Sequence, residues 1–294
     1  MSESAPREPS TRRIPYPPSA LSAVSPEVAR AVSAPFSGGA WIASAFFLLP
    51  AVVLTAILGD SLRGFGPEGR RRVLTTGLFL IQLIAAAGAV AVHSRRSRDR
   101  IEKIETDIPT LGRWWLRTAG LTSGLSAAFL VAWVALGGAI DSLAEVASRS
   151  AQGGGTLGLF RIVPLGLATL MAVDLAVLAF AVSWISAIRT IEGCTTGVAA
   201  SILRGLWAKS RSRLLLHASA GALATWLTWL GMNAAVGAIF ALAVPQPLPD
   251  TAAALLYDHA LRTWLVWTPP LAVLASAGVS SYLLLRPLNG AMPP

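Results

Sequence analysis

The sequence predicts an all-α fold, a polytopic membrane protein built as a bundle of six transmembrane helices. Of its 294 residues, 54% are hydrophobic and only 13% are charged, whereas an ordinary soluble domain has about 25% charged residues. The apolar residues are also gathered into six runs, each long enough to cross a bilayer. A chain with so few charges cannot cover its own surface in water, so we expect lipid to cover it.

Each apolar run is predicted to be a helix, because in lipid only a helix satisfies its own backbone within one segment. At about 1.5 Å per residue, roughly 20 residues cross a hydrocarbon core of about 30 Å. The predicted spans are Ala40–Leu58, Val73–His93, Thr118–Ile140, Ile162–Ile188, Leu214–Val244 and Trp264–Leu285. They define a transmembrane domain of residues 39–288, followed by a short C-terminal tail, residues 289–294.

The N-terminal residues 1–38 are rich in Pro and Ser, and no apolar run begins before about Ala40. This pattern does not fit a cleavable secretory signal. We expect a mostly disordered tail with one helical turn, where Ser25 caps the turn and Pro26 takes the first helical position.

Lys and Arg are divided unevenly between the two sides of the predicted bundle. Seventeen lie in the two tails and in the connectors after spans two and four, and seven lie in the other connectors. The positive-inside rule places the richer side, with both termini, in the cytoplasm, and we favour the inner membrane. The basic first outer loop opposes this orientation, and a re-entrant first span would move the N-terminal tail alone to the other side.

The net charge of +9 comes mostly from Arg in the short connectors. That placement suits anionic lipid headgroups better than a DNA-binding face. We therefore expect membrane lipids, including anionic ones, and proteins within the membrane as partners, but no nucleic acid.

The connector after span four has a helical pattern, in which Val198, Ile202 and Leu206 share one face. This is typical of an amphipathic helix in the membrane interface. The alternatives are a plain connector helix packed on the bundle and a dedicated site for lipid or a partner. Such a site would use Arg204, Lys209, Arg211, Arg213 and Trp207.

Asp174 is the one acidic residue well inside a predicted span. A charged carboxylate there costs roughly 2.5–3.5 kcal/mol on insertion scales, so it should face the bundle interior or a water-filled space. Gln82 and Asn233 lie at similar depth. The three groups either form a proton-binding or polar substrate site, or hold neighbouring helices together by hydrogen bonds.

Two histidines, His93 and His217, are predicted near the cytoplasmic surface, on spans two and five. Such a pair could ligate a haem or a metal, but interfacial histidines are common without any ligand. We predict no cofactor and no metal. Pro269 and Pro270 interrupt the sixth span, and such breaks accompany moving parts in transporters.

No catalytic motif is present, neither a phosphate-binding lysine loop nor a nucleophilic serine or zinc signature. We therefore predict no enzymatic activity. Two functions remain: a non-catalytic subunit or scaffold of a membrane complex, or a small transporter or permease. In the second, Asp174 would be the carboxylate that couples transport to protons or substrate.

Overall fold

The computed structural model describes residues 26–36, 38–61, 68–102, 107–118, 120, 157–243 and 252–286. Over these ranges the regular structure is entirely helical, which confirms the all-α prediction for this part of the chain. The helices are α1 (Pro26–Ser33), α2 (Gly38–Ser61), α3 (Glu68–Glu102), α4 (residues 108–118), α5 (Leu157–Glu192), α6 (Thr196–Ala243) and α7 (Ala252–Leu285). A short 3-10 turn, Ala34–Phe36, joins α1 to α2.

Three helical stretches are long and apolar enough to cross a membrane: Leu175–Glu192 of α5, Thr196–Ala243 and Leu261–Leu285 of α7. A shorter apolar stretch, Leu48–Leu58, lies in α2. Predicted spans one, two, four, five and six fall largely within α2, α3, α5, α6 and α7. The third predicted span lies, apart from its first residues, outside the described residues, as do residues 1–25 and 289–294.

Helix α7 lies at the centre of the described bundle and packs against α1, α2, α3, α5 and α6. Small residues allow this close packing of α7. At Gly278, for example, any side chain would collide with Ser183 of α5. The Ser183 hydroxyl donates to the Leu274 carbonyl at 2.8 Å. Small residues at helix crossings let backbones approach closely in this way.

The N-terminal segment corrects one expectation, because residues 26–36 are not a disordered tail. Pro26 begins an eight-residue helix, so the predicted turn is longer than expected. Val28 and Ala31 are buried, and the Ser276 hydroxyl of α7 donates to the Ala31 carbonyl. The reason is that these small apolar residues cover one end of α7 and α3, a tertiary contact that residue composition does not reveal.

Helix α6 contains the connector pattern and the fifth predicted span in one element. It follows a turn in which Gly193 has a φ of 66°, a left-handed conformation that favours glycine at a helix end. Its backbone is non-helical at Ser210. Before this kink, Ala199 and Leu206 are fully buried against the bundle, whereas Val198 of the predicted apolar face is exposed.

Candidate functional site

A cavity of about 740 Å³ lies between α2, α3, α5, α6 and α7. Its walls are mostly apolar, and much of them consists of alanines and glycines, such as Ala86, Ala179 and Ala222. Helices that face one another through such short side chains leave space unless their backbones approach closely. Tryptophan rings border that space from three helices, Trp184 on α5, Trp229 on α6 and Trp267 on α7.

The wall that α6 contributes is a single helical face, formed by Ala218, Gly221, Ala222, Thr225 and Trp229. These positions recur at the three- and four-residue spacing that brings side chains together on a helix. The outer face of α6 is exposed instead, and Leu242 is 90% exposed. Helix α6 is therefore a peripheral helix with the cavity on its inner side and an apolar surface outside.

Helix α7 is interrupted where it borders this cavity. Pro269 and Pro270 lie within the helix, and Pro270 lines the cavity. Proline has no backbone N–H, so two carbonyls of the preceding turn lose their helical donors. The Thr268 hydroxyl donates back to the Trp264 carbonyl at 2.8 Å. Helix α7 therefore has fewer backbone hydrogen bonds beside the cavity than an unbroken helix would have.

The polar side chains that line the cavity differ in whether their hydrogen-bonding groups are already used. The hydroxyls of Ser183 and Thr225 donate to backbone carbonyls, at Leu274 and Gly221 respectively. Gln82 and His217 are half-buried lining residues and make no side-chain hydrogen bond within the described part of the chain. Gln82 and His217 therefore offer unused hydrogen-bonding groups to a ligand, as does the hydroxyl of Thr263, another lining residue.

The predicted polar trio is only partly placed by the structure. Gln82 lines the cavity, but Asn233 is exposed because α6 is peripheral and packs on α5 and α7 alone among its main contacts. Asn233 is therefore not among the residues that line this cavity. Asp174 precedes the cavity-lining Leu175 on α5, and its side chain lies outside the described residues.

The two histidines do not face one site. His93 is only 3% exposed and lines a cavity of about 20 Å³ beneath Ala34 and Pro35, together with Arg96. His217 lines the large cavity instead. The two histidines thus line different cavities, and the side chain of His259 lies outside the described residues. The described residues contain no group of three or more His, Cys, Asp or Glu placed to hold a metal ion.

The residues predicted to contact headgroups lie between positions 204 and 213, in the first half of α6. Arg204, Lys209, Arg211, Arg213 and Trp207 are all exposed. The guanidinium of Arg211 lies 5.4 Å from the centre of the Trp207 ring, a distance at which a cation is attracted to an aromatic face. These side chains are therefore free to meet lipid headgroups or a partner.

Sequence reasoning missed a polar network at the end of the bundle that bears the predicted inner connectors. Glu192 accepts a hydrogen bond from the Tyr282 hydroxyl at 2.7 Å and pairs with Arg286 at 2.9 Å. Arg95 pairs with Asp99 at 3.2 Å, and burial raises the pKa of the Asp99 carboxyl against the opposing pull of Arg95.

The same end contains Arg189, which is only 5% exposed. Its guanidinium lies 4.6 Å from the centre of the Trp114 ring. Arg189 directly follows an apolar run of the sequence, and that position could have indicated that its side chain is buried. In the sequence it counted only as one of the basic residues that predict the orientation.

Searches of protein-family models, curated proteins and solved structures gave no match to this chain.

Proposed function

We propose that this chain is a multi-pass inner-membrane protein with six spans and both termini in the cytoplasm. Three helical stretches suited to crossing a membrane support it, as do the two further predicted spans that are helical. The polar network of Arg95, Arg189, Glu192 and Arg286 gathers charge at one end of the bundle. That is the end at which the positive-inside rule expects the cytoplasm.

Cys194, the single cysteine of the chain, tests this orientation because it lies in an inner connector. A membrane-impermeant maleimide should label it in inside-out vesicles and not in intact cells. Burial raises the pKa of the Cys194 thiol, and only the thiolate reacts. Below that raised pKa, labelling should be slower than for an exposed cysteine, and it should accelerate as the pH rises.

Two variants in a Cys194→Ser background control this measurement. Ser201→Cys places a thiol at an exposed position of the same connector and should label from the same side, at a faster rate. Ser150→Cys lies in a predicted outer loop and should label in intact cells. Labelling of Ser201→Cys in intact cells would reverse the proposed orientation.

For the cavity we propose the binding of an amphiphile with a long apolar chain and a small polar head. The observation that carries this proposal is the apolar space of about 740 Å³, within the range of about 300–1,000 Å³ for small-molecule sites. The unused donors of Gln82 and His217 provide the polar contact, and the apolar walls suit the chain.

Of the two functions predicted from the sequence, the cavity favours the small transporter or permease. A binding site inside the membrane, beside a proline break in α7, has the two parts that alternating access requires. In this proposal Asp174 is the coupling carboxylate, since its helix forms one wall of the site. The protein catalyses no covalent reaction in either case.

The second candidate remains a non-catalytic subunit or scaffold of a membrane complex. The outer face of α6 favours it, because the helix exposes Leu216 and Leu242 along its length and has neighbours mainly on one side. Such a face suits either lipid or a helix of another protein.

Filling the cavity tests ligand binding directly. Ala222→Phe places a benzyl ring in the space that the ligand needs, and we expect the affinity for a fluorophore-labelled long-chain fatty acid to fall at least about 10-fold. The matched control is Ala220→Phe, two residues earlier on α6. Both alanines are exposed, but only Ala222 belongs to the cavity wall. The control should keep its affinity within about 2-fold. If both variants fold and bind the fatty acid with equal affinity, the cavity is not the binding site.

The Asp174→Asn variant distinguishes the transporter hypothesis from the subunit hypothesis. The amide can still form hydrogen bonds but cannot take up and release a proton, so proton-driven flux of the same fatty acid into reconstituted vesicles should be abolished. Binding of the fatty acid should persist. If flux is unchanged and a second protein co-purifies with the variant, the subunit is the better account.

A further inference from the structure

The buried guanidinium of Arg189 lacks a compensating carboxylate. It is 5% exposed, its Nε atom is buried without a hydrogen-bond partner, and its one hydrogen bond runs from Nη1 to the Thr118 hydroxyl at 3.4 Å. Guanidinium carries five N–H donors. A buried charge of this kind is normally paired, because desolvation is costly. No such pair involves Arg189 in the described part of the chain.

Two carboxylates on the adjoining helix ends are already engaged. Glu192, three residues after Arg189 on the same chain segment, is held by Tyr282 and Arg286. Asp99, at the end of α3, pairs with Arg95. Neither contributes an ion pair to Arg189, so its positive charge is left for another anion.

Further positive groups surround the same point. The Trp114 ring of α4 has two guanidinium groups near it, with Arg189 at 4.6 Å and Arg95 at 5.7 Å from the ring centre. The charge of Arg117 also acts on Arg189, and Arg117 is exposed. Of the two guanidinium groups on the Trp114 ring, Arg95 is paired with Asp99, whereas Arg189 has no carboxylate partner and is repelled by Arg117.

Helix α4 has the surface of a helix at the membrane interface. Its exposed side chains include the apolar Ile108 and Leu116 as well as the basic Arg113 and Arg117. Apolar groups that enter lipid beside basic groups that meet headgroups are typical of interfacial helices. Since Trp114 belongs to this helix, the cationic cluster lies at headgroup level.

We propose that Arg189, Arg95, Arg117 and Trp114 form a binding site for a phosphate group at the cytoplasmic membrane surface. Guanidinium groups match the geometry of phosphate oxygens and form strong charge-assisted hydrogen bonds with them. The phosphate belongs either to an anionic phospholipid headgroup or to a soluble phosphate. This site is separate from the cavity and does not depend on ligand binding there, but its cytoplasmic placement rests on the orientation proposed above.

Native mass spectrometry of the full chain in neutral detergent tests the site. The probes are short-chain phosphatidylglycerol, short-chain phosphatidylcholine and inorganic phosphate. We expect phosphatidylglycerol to bind at least about 10-fold more tightly than phosphatidylcholine, and Arg189→Gln to remove that preference. Arg117→Gln, at an exposed position, should weaken phosphatidylglycerol binding by about 3-fold.

The matched control is Arg204→Gln, an exposed arginine on α6 away from Trp114, which should keep the preference within about 2-fold. Competition by inorganic phosphate assigns the site to phosphate from either source, and its failure to compete assigns the site to the lipid headgroup. Both results support the site. Equal binding of the two lipids, or equal losses in Arg117→Gln and Arg204→Gln, would overturn it whether or not Arg189→Gln folds.

Discussion

The enclosure of α7 by α1, α2, α3, α5 and α6 is the constraint on which the described architecture depends. A helix surrounded by protein in a membrane has no water to satisfy its polar groups and no space for large side chains on every side. The sequence of α7 meets both conditions with small residues, and the Ser276 and Ser280 hydroxyls donate to backbone carbonyls. The same contact fixes α1, since its Ala31 carbonyl is one of the acceptors.

The cavity follows from the same use of small side chains. Where α5 crosses α7 at Gly278, short side chains allow close contact. Where α6 faces α5 and α3, the alanines of each wall leave about 740 Å³ open. Pro270 of α7 lines that space, so the central helix lacks backbone hydrogen-bond donors beside the point where a ligand would lie. The packing of the bundle, the cavity and the proposed alternating access therefore all involve α7 and the helices around it.

Apolar runs were enough to predict an all-helical chain and the positions of five described helices, because in lipid the helix is imposed by the backbone. A different pattern, Ser25 followed by Pro26, predicted the helix start at Pro26. The apolar runs could not place Asn233, because periodicity does not say which face of a peripheral helix turns inward. They could not predict that Val28 and Ala31 of α1 are buried, or that Arg189 stacks on Trp114, because both depend on which helix ends meet. Gln82 could be singled out from the sequence because it is an amide within an apolar run, whichever helices pack around it.

Photocrosslinking with a diazirine-bearing fatty acid, followed by peptide sequencing, measures most directly whether the cavity is a ligand site. The account predicts that labels concentrate on cavity-lining residues such as Trp184, Thr225 and Leu274, and that excess unlabelled fatty acid removes them. Labels confined to outward-facing residues such as Leu216 and Leu242, and insensitive to competition, would contradict it. That result would mean that the protein meets fatty acid only as bulk lipid.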